Sequence, residues 1–178
     1  MLVEFNTLPD ESRVWIFQAS RSFSEEELQQ LRKELDAFIA DWTAHGSDLR
    51  AGYEIRYNRF IILALDQTLN AASGCSIDAS VRFIQQMEQK YKVELLDKMN
   101  VSYKQGDFVA YKSLVDFKKM AKQKAVSKNT IVLIIWLPIS TNTRIIGRCR
   151  QRRAGMVVLC KLNRIKRPLN YRFVFFFE

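Results

Sequence analysis

One histidine, His45, stands among 178 residues, and the three cysteines, Cys75, Cys149 and Cys160, have neither CxxC spacing nor a pair of histidines to join them. A zinc site and a disulfide framework are therefore not expected, and no metal or other cofactor is implied. No G-x-x-x-x-G-K-[ST] occurs in the chain. It has no glycine-rich cradle for phosphates and no lysine placed to reach their outer oxygens, so ATP and GTP are not expected to bind. Three prolines and six glycines form no low-complexity linker, and no internal repeat is visible. The longest apolar run, Ile131 to Ile139, has nine residues, where a membrane-spanning helix needs about 20. The opening MLVEFNTLPDESRVW has no basic flank and no apolar stretch of about 7–15 residues, so it does not read as a secretory signal. The expected address is the cytoplasm, with no membrane span.

What is present suffices for a packed core: 48% of residues are hydrophobic and 12% aromatic. Acidic residues are missing from one region. Residues 1–132 hold 18 Lys+Arg and 18 Asp+Glu, while residues 133–178 hold 10 and 1, so the whole net charge of +9 lies beyond residue 132. A basic segment of that kind is ordinarily an electrostatic footprint for phosphates. A nucleic-acid arm would, however, interleave its cations with stacking aromatics. Here the aromatics bunch at the end, in FVFFFE from Phe173 to Glu178. Nucleic acid is not the expected partner; an unspecified protein or small molecule is.

The segment from Ser12 to Ser20 reads as a strand around Val14, Trp15, Ile16 and Phe17. SEEELQQLRKELDAFIADW opens with a capping box, Ser24 to Glu27, and carries Leu28, Leu31, Leu35, Phe38, Ile39 and Trp42 at helical spacing. Tyr53, Ile55 and Tyr57 alternate with Glu54 and Arg56, YNR makes a tight connection, and Phe60 to Leu65 is apolar throughout, which together predict a hairpin. A second helix is expected from about Ile77 to about Lys92, with Ile77, Val81, Ile84, Met87 and Tyr91 on one face. VELLDKMNVSY and GDFVAYKSLVDF supply a further turn of helix and one or two strands. The order β-α-β-β-α-β argues an α+β domain over residues 1–132, a mostly antiparallel sheet with two main helices on one face. A parallel doubly wound sheet is the alternative.

Few side chains invite chemistry. Cys75, flanked by Gly74 and Ser76, stands just before the expected second helix, where unpaired amides and the helix dipole favour a thiolate. His45 is its candidate base, with Asp66 or Asp48 to orient the imidazole. The plainer alternative makes Cys75 a small packed residue, with Ser76 or Asp78 as the helix cap. Arg56, Asn58 and Arg59, with Ser76, are candidate anion-binding residues, although on a hairpin such residues are commonly solvated. Lys118, Lys119, Lys122 and Lys124 read as a solvated face. Trp15, Phe38, Trp42 and Phe60 read as core. The function expected on balance is a non-catalytic binding or interaction module whose loops 43–50 and 66–76 meet at one end of the sheet. A small enzyme using the Cys75 thiolate with His45 is the alternative.

LPDESRVWIFQ, WTAHGSDLRAGYEIRYNRFIILALD, NAASGCSIDASVRFI and LLDKMNV, in that order, resemble a small uncharacterised bacterial family often labelled "ABC transporter ATPase". The resemblance covers about residues 1–132. Its label implies a nucleotide-binding protein associated with a transporter, an implication that the missing phosphate loop opposes. Members of the family look as though they continue with an Asn-Asn-Leu strand and end on a segment like WEVPAxESWHxRF, which this chain lacks. Back-translation from Leu133, read two bases on with permitted codons, gives NNLVANKHQHQDNWEVPAAESWHGRFV. A stop then straddles Cys160 and Lys161. Ile146-Gly147 and Ala154-Gly155 can each yield tryptophan there only through the fixed GG of a glycine codon. Residues 133–178 are accordingly read as an out-of-frame tail that packs poorly, with Ile131 to Leu137 retaining β-propensity. Resequencing the gene across the codons for Val132 and Leu133 is expected to recover one extra base and a shorter product; a clean read of the present frame refutes the inference.

Overall fold

In a computed structural model, the described residues are 1–9, 12–44, 46–68, 70, 72–97, 99–126, 130–133 and 159–161. The chain divides into two compact units, one over Met1–Leu96 and one beginning at Asp97. No proline, glycine or charge run marks that boundary in the sequence, which is why it is not expected there. Most of the tail read as out of frame, residues 134–158 and 162–178, lies outside the described residues.

In the first unit, a 3-10 turn at Phe5–Thr7 precedes strand β1, Arg13–Gln18. Helix α1 follows over Glu25–Ala40, and its capping box forms as the sequence predicts. The Glu27 amide donates to Ser24 Oγ at 3.2 Å and the Ser24 amide donates to Glu27 Oε2 at 2.9 Å, an end worth about 1 kcal/mol. Two short strands, β2 at Thr43–Ala44 and β3 at Ser47–Asp48, pair with each other. Strands β4, Ala51–Arg56, and β5, Phe60–Leu65, form the expected hairpin. Its three-residue connection, Tyr57 to Arg59, places Tyr57 and Asn58 at φ of 51° and 50°, and the Arg59 amide closes the turn by donating to Arg56 O at 3.0 Å. Helix α2 then runs over Gly74–Tyr91.

Strand β5 lies between β1 and β4, antiparallel to both. Register puts Trp15, Leu63 and Tyr53 in one row and Phe17, Ile61 and Ile55 in another. These rows meet Leu28, Leu31, Leu35 and Ile39 of α1 and Phe83, Ile84 and Met87 of α2 in one core. Each buried aliphatic or aromatic side chain there contributes about 1.5–3 kcal/mol. The outer edge of β4 is also occupied: Leu2 bridges Ala51 in parallel, and the Val3 amide donates to Ala51 O at 2.9 Å.

In the second unit, β6 (Asn100–Gln105) and β7 (Phe108–Ser113) form a hairpin about Gly106, whose φ is 62°. Helix α3 covers Leu114–Lys122. The backbones of β8, Ile131–Leu133, and β9, Leu159–Lys161, extend the sheet in the order β7-β6-β8-β9, antiparallel throughout. Val101, Tyr103 and Phe117 make its small core. Lys118, Lys119, Lys122 and Lys124 are exposed.

The fold is α+β, as expected, but the expected single sheet is corrected to separate sheets. Strand β6 does not join β1-β5-β4. Its nearest partner in sequence is β7, across two residues, and a short loop closes at small entropic cost. One edge of the first sheet, that of β4, is meanwhile taken by Met1–Val3. The third helix is a further addition, over residues whose lysines the sequence marks only as solvated. No helix among the described residues is long and apolar enough to cross a membrane.

A Cβ on Gly52 would stand 2.6 Å from the Val3 carbonyl oxygen, whereas one on Gly74 would meet nothing within 4 Å. Gly52→Ala is expected to destabilise the protein by about 1–3 kcal/mol in urea unfolding. Gly74→Ala, in the first turn of α2, is expected to be neutral or to stabilise by up to about 1 kcal/mol. Equal effects at the two glycines contradict the close approach of the N-terminal segment.

Candidate functional site

The loops over residues 43–50 and 66–76 meet at the end of the sheet where β5 finishes. The Asp66 amide donates to Arg50 O at 2.9 Å, and Asn70 Nδ2 donates to Asp48 O at 3.3 Å. The Trp42 indole N–H donates to Ser76 O at 2.9 Å. These bonds tie the β2–β3 region to the start of α2.

Asp66 is buried at this junction, where its carboxylate is fully occupied. Oδ1 accepts from the Thr68 hydroxyl at 2.6 Å and the Thr68 amide at 2.9 Å, and Oδ2 accepts from Arg50 at 3.1 Å. The Thr68 hydroxyl, then its amide, then the Arg50 guanidinium hold the Asp66 carboxyl below the usual carboxylate range. The arrangement is an Asx turn braced by an ion pair, and it accounts for both oxygens without an imidazole. His45, the candidate base, lies outside the described residues.

Helix α2 begins at Gly74, three residues before the expected Ile77, because Ser73 supplies the cap: its Oγ accepts from the Ser76 amide at 3.2 Å. Neither Ser76 nor Asp78 caps it. Cys75 is thus inside the first turn, and it is exposed. Ser76 points the other way, 2% exposed, with its hydroxyl donating to Ser73 O at 2.9 Å. The two neighbours face opposite environments.

The arginine set sits elsewhere. Arg56 pairs with Glu54 at 2.9 Å, and Asn58 Nδ2 donates to Glu25 Oε1 at 3.3 Å. Arg59 is 7% exposed and donates to Ser20 O at 3.4 Å and Ser22 Oγ at 3.5 Å. These three residues occupy the turn end of the β4–β5 hairpin. The six residues of β5 separate that end from Asp66 and Ser76, a span of roughly 20 Å at about 3.3 Å per residue. Ser76 therefore does not join them, and the adjoining start of α1 carries Glu25, Glu26 and Glu27, which repel an anion.

A different feature offers open volume. Lys90 pairs with Glu34, Phe38 stacks on Phe83, and Trp42 reaches Ser76, so α1 and α2 run antiparallel with side chains matched along the seam. A groove of about 610 Å³ follows that seam. Its floor is aromatic: the Phe38 and Phe83 rings stack with centroids 4.3 Å apart at 13°, and Phe38 meets Trp42 at 5.3 Å. Ala37, Ala79 and Met87 complete the apolar lining, and Asp41, Gln86 and Lys90 stand on the rim. Beside Lys90, the Tyr91 hydroxyl donates to Glu34 Oε2 at 3.1 Å. Burial first, and then the bond to Glu34, raise the Tyr91 hydroxyl above the usual tyrosine range.

Sequence reasoning places Phe38 and Trp42 in the core and does not single out Phe83, Asp41 or Gln86. A signal was there. Apolar residues stand side by side at Phe38-Ile39 and Phe83-Ile84, which widens each stripe beyond what one sheet face covers.

Because the folded state lowers the Asp66 value, its charged form stabilises the protein above the ordinary carboxylate value of 3.8, and that contribution is lost as pH falls from there through the folded value. Asp66→Asn is expected to lower the melting temperature at pH 7 and pH 5 alike, with the gap from the parent protein closing only below about pH 3.8. A gap that has already closed at pH 5 contradicts the bonding described.

Compared with family models, with curated proteins and with solved structures, the chain finds no match, so its functional reading is built on this geometry.

Proposed function

We propose that the chain is a non-catalytic binding module whose binding surface is the groove between α1 and α2. The observation that carries this reading is the groove itself, about 610 Å³ of open volume over stacked aromatic rings. Its size lies within the range of small-molecule sites, and its mix of apolar floor and sparse polar rim is typical of them. The converging loops 43–50 and 66–76 support it from the side, since their hydrogen bonds fix Trp42 and the start of α2. A rigid frame of this kind lowers the entropic cost of binding.

The polar groups that would have to do chemistry are already engaged. Asp66 is held by Thr68 and Arg50, and the Ser76 hydroxyl is turned back onto the Ser73 carbonyl. The thiol-enzyme alternative keeps one favourable observation, the exposure of Cys75 on the first turn of α2. A nucleotide-binding role, which the ABC transporter ATPase label suggests, has no phosphate-binding loop to support it.

Screening a fragment library against the 15N-labelled full chain is expected to shift the amides of Ala37, Phe38, Phe83 and Gln86. Phe38→Ala is expected to weaken the hits about tenfold or more, the loss typical of a central aromatic contact, and Cys75→Ser to leave them unchanged. Hits that cluster at Cys75 and vanish in Cys75→Ser would favour the thiol reading instead.

A further inference from the structure

The rim of the groove has an unbalanced charge. Asp41 is the C-cap residue of α1, and no basic residue occupies the last turn of that helix. A helix C-terminus carries partial negative charge on its free carbonyls, which Lys or Arg ordinarily offsets. Here an exposed carboxylate adds to it. Asp41 forms no ion pair among the described residues. The one lysine lining the groove, Lys90, is held by Glu34 at the other end. The surroundings point the same way: residues 1–96 hold 10 Lys+Arg against 15 Asp+Glu.

Asp41 also stands at the edge of the aromatic floor. It lies three residues after Phe38 on α1, which puts their Cβ atoms about 5–6 Å apart. Phe38 is only partly buried, and it rests on Phe83. A cation next to Asp41 would therefore also lie near an aromatic ring, whose quadrupole attracts it. The Trp42 N–H is already donated to Ser76 O, so it offers an anion nothing.

Resting on the binding-module reading, we propose that the groove takes a ligand with an apolar body and a single cationic group, ammonium or guanidinium. The apolar body lies against Phe38 and Phe83, and the cation sits beside Asp41 at the C-terminal end of α1. An anionic ligand of the same shape is disfavoured by charge.

Three probes of one shape test this on the full chain: 4-phenylbutylammonium, 4-phenylbutan-1-ol and 4-phenylbutyrate, each titrated into 15N-labelled protein at low salt. The ammonium is expected to shift Phe38, Asp41 and Phe83 and to bind about five- to tenfold more tightly than the alcohol, the gain of one exposed ion pair with a ring beside it. The butyrate is expected to bind most weakly. Asp41→Asn, a change on the exposed helix end that leaves the fold intact, is expected to reduce the ammonium to the level of the alcohol. Equal groove binding by ammonium and alcohol overturns the cation preference and leaves the groove reading standing. Absence of any shift in the groove from all three overturns both. Shifts confined to Glu25–Glu27 mark general attraction to acidic surface and overturn the proposal. Shifts of the groove residues with protein concentration alone, before any probe is added, identify a second copy as the occupant and overturn it too.

Discussion

Six consecutive apolar residues, Phe60 to Leu65, are all buried, and the first unit is organised around meeting their needs. A strand with no polar face needs cover on both sides and hydrogen-bonding partners on both edges. Its edges are met by β1 and β4, each antiparallel, in register over all six residues. One face is met by α1 and α2, whose leucines and aromatics reach Ile61, Leu63 and Leu65. The tight Tyr57-Asn58 turn fixes the register of the hairpin. Slipping it by one residue would exchange Ile61, Leu63 and Leu65 for Phe60, Ile62 and Ala64 on the helical face.

The groove follows from how two helices share that cover. Leu31, Leu35 and Ile39 of α1 are fully buried. Phe38 and Phe83 sit one position away on their helices, and their rings stack on each other across the seam. The two rings meet across the seam face to face, 4.3 Å apart. The volume beside them is lined by the small Ala37 and Ala79 and by polar residues at its rim. At one end of the groove, α1 ends in an acid, Asp41. At the other end, Glu34, Lys90 and Tyr91 join the two helices with an ion pair and a hydrogen bond. The result is a groove with an apolar middle and ends of different character.

Local patterns were legible wherever one segment met its own needs. The capping box at Ser24, the leucine stripe of α1 and the β4–β5 hairpin depend on residues within a few positions of one another, so spacing alone discloses them. The start of α2 was less legible because SGCSID offers two hydroxyls and an acid, and only the backbone geometry selects Ser73 as the cap. The separation of the sheets was not legible, since β6 is as suitable an edge strand for one sheet as for another. The candidate site was least legible. Phe38 and Trp42 look like core in any sequence, and Asp41 looks like an ordinary surface acid.

By itself, then, the sequence determined the class of fold, the principal helix with its cap, the apolar central strand and the absence of a phosphate-binding loop. Each is a matter of residue type at short spacing, where propensity, capping and periodicity act. Only the tertiary structure decided that Asp66 braces a turn, that Cys75 and Ser76 face apart, that Arg56, Asn58 and Arg59 lie a strand's length from Ser76, and that Phe38, Phe83 and Asp41 share one groove. Those outcomes depend on which elements pack against which. Packing is set by the sum of many buried contacts far apart in the chain, and no short stretch of sequence contains that sum.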